Sequence, residues 1–135
     1  EYPKTEGWTL FADVRLPVYA MQISKGNGDI YTLMSYDLAK EYKNMNSEKA
    51  VEKMLKNVYD KYKKAGVTEN KMSLGPVILN GHKGMQFVLT EFQGKSMIKN
   101  GVIVKDKLYE ITVEGLPKDV IEMQKVVEKS WNEIK

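Results

Sequence analysis

Residues 77–115 read VILNGHKGMQFVLTEFQGKSMIKNGVIVKDKLYEITVEG, and this stretch decides the fold. After an opening Val-Ile-Leu it contains three runs rich in apolar residues, at 85–92, 97–104 and 108–113. Asn80-Gly81 and Gln93-Gly94 place residues that tolerate positive φ at points where a hairpin must reverse. The stretch therefore predicts a four-stranded antiparallel meander, entered by an extended segment at 72–79.

Extended segments are also predicted in the first third of the chain. Apolar and polar residues alternate over 8–16 until Pro17, which is the pattern of a strand with one buried face. The alternation continues at 19–23 and returns over 30–36. Between these two segments, residues 26–29 read Gly-Asn-Gly-Asp, a sequence typical of a tight hairpin turn.

Two helices are predicted from apolar residues that recur at spacings of three and four. The first follows a capping residue, Asn46 or Ser47, and stops near Gly66. Its apolar stripe comprises Ala50, Val51, Met54, Leu55, Val58, Tyr59 and Tyr62. The second helix follows Pro117 and is expected to run to the C-terminus, with a stripe of Val120, Met123, Val127, Trp131 and Ile134.

The predicted order of elements is βββ-α-ββββ-α. Each helix has one apolar stripe to bury and a broad sheet offers two faces, so we expect an α+β fold built as a three-layer α/β/α sandwich around a mostly antiparallel sheet. A chain of 135 residues has the size of one domain, and no linker, repeat or low-complexity tract divides it. We predict a single domain over residues 1–135, with the polar segment 1–7 as a loosely ordered lead-in.

The positive charge of the chain is concentrated on the first helix. The net charge is +3, and residues 48–64 contain six lysines against three acids, so this segment carries the whole excess. Arg15 is the only arginine, and an excess made of lysine alone is a poor signature for nucleic acid, so no nucleic-acid partner is predicted. The lysines form either a solvated surface or a docking site for an acidic partner or an anionic membrane surface. The candidate partner-binding residues are Lys49, Lys53, Lys56, Lys63 and Lys64, with Tyr31 and Tyr36 as further contacts if a groove is present.

No catalytic or metal-binding constellation is evident among residues close in sequence. The chain has no cysteine, and His82 is the only histidine. No carboxylate adjoins His82 to orient its ring, so an exposed turn histidine without a catalytic role is the favoured interpretation. The alternative is a small hydrolase or metal-dependent enzyme that uses His82 with carboxylates brought near by folding, such as Glu91 or Glu110. An all-carboxylate calcium site assembled in three dimensions also stays open, but no cofactor is predicted.

Several short motifs carry a family resemblance. Residues 77–84 follow the pattern Val-Ile-Leu-Asn-Gly-x-x-Gly, residues 107–115 read KLYEITVEG, the C-terminal helix carries Trp131, and residues 14–17 read Val-Arg-Leu-Pro. Together they resemble the Mog1/PsbP-like superfamily, which includes the bacterial DcrB-like lipoproteins, over about residues 8–134. The chain departs from the family at residues 18–20, which read Val-Tyr-Ala where a Gly-Trp often follows the proline.

The resemblance implies an extracytoplasmic location, either periplasmic or at the cell surface, with a lipid anchor upstream of the chain as one form. Glu1 is not an initiator residue, so a removed export signal or a trimmed start fits the sequence. We therefore expect a non-catalytic binding or accessory domain that docks an unknown protein or small ligand at a sheet edge or in a groove between helix and sheet. An intracellular partner-binding protein of the Mog1 kind is a further possibility that the resemblance leaves open.

Overall fold

The computed structural model describes residues 9–14, 19–24, 30–37, 47–104 and 107–131, with side chains described over 49–104 and 108–131. The predictions for the lead-in 1–7, the strand end at Pro17, the turn 26–29 and the cap Asn46 concern residues outside these ranges. The elements in chain order are β1 (Thr9–Val14), β2 (Tyr19–Ser24), β3 (Ile30–Asp37), α1 (Ser47–Lys64), β4 (Met72–Leu79), β5 (His82–Phe92), β6 (Lys95–Val104), β7 (Lys107–Gly115) and α2 (Pro117–Ser130). A short 3-10 helix, Glu69–Lys71, precedes β4.

The structure shows an α+β chain in which an antiparallel sheet carries two helices, as the sequence predicted. Strands β4 to β7 pair in succession and every pair is antiparallel, which confirms the meander. The turns form where the sequence placed them. Asn80 and Gly81 have φ of 49° and 87°, and Gln93 and Gly94 have φ of 55° and 82°. Positive φ at both central residues is the requirement of the hairpin turn that matches strand twist.

The remaining strands join the meander through β3, which pairs with β7. The order across the sheet is β1-β2-β3-β7-β6-β5-β4, and neighbouring strands are antiparallel throughout. Strand β4 is the last strand of this order and contains Gly75-Pro76. An edge strand tolerates Pro76, which has no N–H to donate to a neighbouring strand.

Helix α1 packs on the sheet through a group of apolar residues that we call the α1 cluster. Its buried members are Val51, Leu55, Met72, Phe87, Leu89, Met97 and Leu108. The helix ends as Gly66 predicts. Gly66 has φ 97°, its N–H donates to the carbonyl of Lys63, and the N–H of Val67 donates to the carbonyl of Tyr62, both at 3.1 Å. This pair of bonds is the Schellman pattern, which satisfies carbonyls at the end of a helix.

Helix α2 packs on a second group, the α2 cluster. Its buried members are Val77, Leu79, Val102, Tyr109, Ile111, Val113, Val120, Met123, Val127 and Trp131. Within β7, Leu108 belongs to the α1 cluster and its neighbour Tyr109 to the α2 cluster. The structure describes four of the residues predicted for the apolar stripe of the second helix. Val120, Met123 and Val127 lie in α2 and are buried, and Trp131 is buried just after the last turn of the helix.

The prediction that α2 runs to the C-terminus is wrong, because the helix ends at Ser130. Trp131 has an extended backbone, with φ −60° and ψ 141°. A continued helix would use the carbonyl of Glu128 to accept the N–H of residue 132. In the structure the N–H of Asn80 donates to that carbonyl at 2.7 Å, so the β4–β5 turn takes the acceptor that the next helical residue would need. Ile134 lies outside the described residues.

Candidate functional site

The lysines of α1 lie on the side of the helix that faces away from the α1 cluster. All six are exposed: Lys49, Lys53, Lys56, Lys61, Lys63 and Lys64. We refer to these six residues as the lysine face. Because the rise is 1.5 Å per residue, the face extends about 22 Å along the helix. Two acids of α1, Glu52 and Asp60, are also exposed.

The lysine face keeps an excess of positive charge. Lys63 Nζ lies 2.8 Å from Glu69 Oε1 in a pair that is open to solvent. The hydrogen bond to Glu69 and the negative charge of its carboxylate raise the pKa of Lys63, and the same bond and the charge of Lys63 lower the pKa of Glu69. Lys56, Lys61 and Lys64 form no ion pair within the part of the chain that the structure describes. These three ammonium groups therefore remain available to an external anion.

The two candidate tyrosines are described by their backbone positions in β3. The backbone register of β3 places Tyr31 opposite Val113 and Tyr36 opposite Leu108. The two positions are five residues apart in one strand, and successive positions alternate between faces.

His82 packs against the end of α2. Its ring meets that of Trp131 edge-on, with centroids 5.2 Å apart and planes at 82°. The β4–β5 turn holds this contact, since Asn80 Nδ2 donates to the carbonyl of Trp131 at 3.0 Å. Trp131 in turn packs edge-on against Tyr109, also at 5.2 Å. His82 is half-buried, so the expectation of an exposed turn histidine is wrong, because the turn docks on the helix.

Glu91 lies at the far end of β5 from His82. The two residues are nine positions apart in one strand, which corresponds to about 30 Å. Lys71 Nζ donates to Glu91 Oε2 at 2.8 Å, and the N–H of Gly94 donates to Glu91 Oε1 at 2.8 Å. The hydrogen bond from Lys71 and then that from Gly94 lower the pKa of Glu91. Glu91 therefore holds the β5–β6 turn to the start of β4 and does not approach His82.

Glu110 is also separated from His82. It lies in the middle of β7 and forms an ion pair with Lys99 of β6, and both side chains are less than a fifth exposed. Glu110 is two positions from Leu108 and therefore shares the sheet face of the α1 cluster. His82 contacts Trp131, a member of the α2 cluster. The structure does not bring His82 together with either of its candidate carboxylates.

A cleft of about 320 Å³ lies between the loop after α1 and the β5–β6 turn. It is lined by Ala65, Gly66, Val67, Thr68, Lys71, Glu91, Phe92 and Gln93. The two charged side chains of this lining, Lys71 and Glu91, are paired with each other. The cleft therefore presents no unpaired charged group to a ligand.

The sequence analysis missed a buried amide pair between β6 and α2. Asn100 Nδ2 donates to Gln124 Oε1 and Gln124 Nε2 donates to Asn100 Oδ1, both at 3.0 Å. Asn100 Nδ2 also donates to the carbonyl of Ile111 at 3.1 Å. Gln124 is four residues after Val120, in the phase of the apolar stripe, and Asn100 interrupts an apolar strand. A polar residue at a core position was the signal for this pair.

The described residues contain no group of three or more His, Asp or Glu side chains placed to hold a metal ion. Among the helices that the structure describes, none is long and apolar enough to cross a membrane. No protein-family model matches the chain, and no curated protein matches it significantly.

Proposed function

We propose that the chain is a non-catalytic, extracytoplasmic binding or accessory domain that docks its partner through the lysine face of α1. The observation that carries this proposal is that the two sides of helix α1 differ, one side packing on the sheet and the other facing solvent. Its apolar side is fixed in the α1 cluster, and its opposite side presents six exposed lysines. A charged surface on a rigid support steers association and orients a partner without changing shape.

We further propose the three-layer α/β/α sandwich in the order βββ-α-ββββ-α, and membership of the Mog1/PsbP-like superfamily. The layered arrangement is supported by the two clusters, since Leu108 and Tyr109 are adjacent in β7 and belong to different clusters. Adjacent side chains of a strand point to opposite faces, so a helix on each face accounts for both clusters.

The residues of the family-like motif have structural roles that fit this proposal. Asn80-Gly81 forms the β4–β5 turn. At Gly84 an added Cβ would collide with the carbonyl oxygen of Gly101 and would lie 2.6 Å from Val102 Cγ2. Glycine is therefore needed at the last position of the motif, because β5 and β6 approach closely there.

The non-catalytic assignment is supported by the positions of the residues that the enzyme hypothesis needs. His82 contacts Trp131, whereas Glu91 pairs with Lys71 and Glu110 lies on the face of the α1 cluster. The half-buried His82 ring contributes packing, which is sufficient reason for its presence in this turn.

A comparison of two charge-reversed variants tests docking through the lysine face. The first replaces Lys56, Lys61 and Lys64 by glutamate, and the matched control makes the same changes at the exposed lysines of α2, which are Lys118, Lys125 and Lys129. Each triple change lowers the net charge from +3 to −3, so the two variants differ only in where the charge is placed. Affinity capture from the native envelope, read by quantitative mass spectrometry, measures the partners retained.

We expect the α1 variant to lose the partners captured by the unmodified chain, and the α2 variant to keep them. Equal retention, or equal loss, by the two variants would contradict docking through α1. Circular dichroism of both variants establishes that each is folded, which we expect because every altered side chain is exposed.

The extracytoplasmic location is tested separately by fractionation of cells that produce the full-length protein. We expect the protein in the envelope fraction and accessible to protease added to cells with a permeabilised outer barrier. Recovery in the cytosol with protection from protease would instead favour the intracellular alternative of the Mog1 kind.

A further inference from the structure

We infer that the surface met by the lysine face is an anionic lipid membrane. This inference rests on the docking function proposed above and names the chemistry of the partner.

The cations of the face are all lysines. An arginine guanidinium forms a planar fork that pairs with individual carboxylates in fixed geometry, whereas a lysine ammonium is a compact, hydrated charge on a flexible stem. Six lysines and no arginine on one side of α1 therefore suit a diffuse layer of negative charge better than a set of positioned carboxylates. Lipid headgroups provide such a layer.

The face also lacks the side chains that anchor a protein partner. Protein interfaces are enriched in aromatic residues and depleted of lysine at their centres. Tyr59 and Tyr62 of α1 are directed towards the sheet, where both pack on Phe87. The large apolar side chains that the structure shows as exposed are Ile78, Leu116 and Ile121, and none belongs to α1.

The shape of the face fits a flat surface. One helix of 18 residues carries the whole face over about 22 Å. With 3.6 residues per turn, all of its lysines except Lys61 fall within about 100° of the helix circumference, so these five can reach one plane together. The six lysines less the four acids Glu48, Glu52, Asp60 and Glu69 leave an excess of two charges. A basic residue near an anionic membrane contributes about fivefold in partitioning, so two charges give roughly a 25-fold preference for anionic over neutral lipid.

Vesicle binding of the purified chain tests this inference. The vesicles contain phosphatidylglycerol and phosphatidylcholine in equal parts, or phosphatidylcholine alone. We expect binding only to the anionic vesicles in about 0.05 M salt, and loss of binding in about 0.5 M salt, because exposed charges are screened over a few ångströms at the higher concentration.

Neutral variants locate the binding to α1. Lys56→Gln, Lys61→Gln and Lys64→Gln together bring the charge of the face from +2 to −1 and should abolish its roughly 25-fold preference for anionic lipid. The matched control with Lys118→Gln, Lys125→Gln and Lys129→Gln also brings the net charge from +3 to 0, and should lower partitioning by much less. Equal losses in the two variants would show that net charge alone drives binding and would overturn the inference.

A fluorescent label reports the orientation on the membrane directly. The chain has no cysteine, so Asn57→Cys on α1 and Glu122→Cys on α2 each create a single attachment point, and both positions are exposed. With a quencher attached to the lipid headgroups, the label at position 57 should be quenched on anionic vesicles and the label at position 122 should not. Stronger quenching at position 122 would overturn the inference.

Failure of this inference can be distinguished from failure of the docking proposal. If the unmodified chain binds neither kind of vesicle but captures an envelope protein that the charge-reversed α1 variant loses, an acidic protein is the partner. The membrane is then excluded and docking through α1 stands. If the α1 variant loses neither vesicles nor protein partners, both proposals fail.

Discussion

Replacement of Gly101 by alanine should destabilise the protein, because helix α1 lies directly on the backbone of β6 at this position. A Cβ added to Gly101 would lie 2.7 Å from Val51 Cγ1 and 3.1 Å from Met54 Cε. Met54 has a flexible side chain that can move, but Val51 is β-branched and only 2 % exposed. Relief of the contact therefore requires a shift of the helix away from the sheet.

The magnitude follows from two opposing contributions. Insertion of an extra carbon into a packed core typically costs about 1–3 kcal/mol. Alanine also restricts the unfolded chain more than glycine does, which offsets about 0.4–1 kcal/mol. We expect a net loss of about 1–2 kcal/mol in the free energy of unfolding, measured by urea denaturation followed by circular dichroism.

Two further variants make this prediction specific. Gly75→Ala on β4 meets no atom within 4 Å, so it should change the free energy of unfolding by less than about 0.5 kcal/mol. Val51→Ala removes the Cγ1 methyl group that the new Cβ would meet at 2.7 Å, so Gly101→Ala should cost at least about 1 kcal/mol less in a Val51→Ala background. Equal effects of Gly101→Ala and Gly75→Ala, or strict additivity with Val51→Ala, would refute close packing of α1 on β6.

Three other predictions concern buried polar groups and an ion pair, and each is measured by urea denaturation. Asn100→Leu leaves the Gln124 amide buried without its partner and should lower the free energy of unfolding by about 1–3 kcal/mol. Adding Gln124→Leu should recover part of this loss, and a double variant less stable than Asn100→Leu would contradict the prediction. Trp131 Nε1 is buried without an acceptor, so Trp131→Phe should change the free energy of unfolding by less than about 1 kcal/mol. Trp131→Ala should cost about 3–5 kcal/mol, because it removes the buried ring. Similar losses from the two variants would contradict a role in packing. Because the pKa of Glu91 is lowered in the folded state, its contribution to stability is present above pH 4.5 and is lost as the pH falls through the lowered pKa. Lys71→Gln should therefore make the free energy of unfolding fall less steeply with decreasing pH. An unchanged dependence on pH would contradict the pairing.

Local sequence signals were sufficient for the turns and for α1. Asn80-Gly81 and Gln93-Gly94 determined where the meander reverses, because few residues adopt positive φ without strain. Gly66 ended α1 for the same reason. The spacing of apolar residues identified which side of α1 is buried, and therefore also which side carries the lysines.

Features of the fold that depend on contacts between residues distant in sequence could not be predicted from the sequence. The pairing of β3 with β7 joins segments about 80 residues apart, and nothing in either strand specifies the other. The stop of α2 at Ser130 depends on the N–H of Asn80, some 50 residues earlier in the chain. The family-like motif gave Asn80 as a turn residue, but its second role, as a cap for α2, exists only after the turn has docked.

Stability and docking should be separable in this molecule, because the groups that hold α1 in place are distinct from those that it presents. Val51 and Leu55 fix the helix to the sheet, and no residue of the lysine face is a member of the α1 cluster. The exposed Lys63–Glu69 pair contributes little to folding, since solvent-exposed ion pairs are screened. Neutral substitutions on the face should therefore change the salt dependence of association and leave the unfolding midpoint in urea almost unchanged. A parallel fall in both would mean that the lysines stabilise the fold and that their exposure has no separate role.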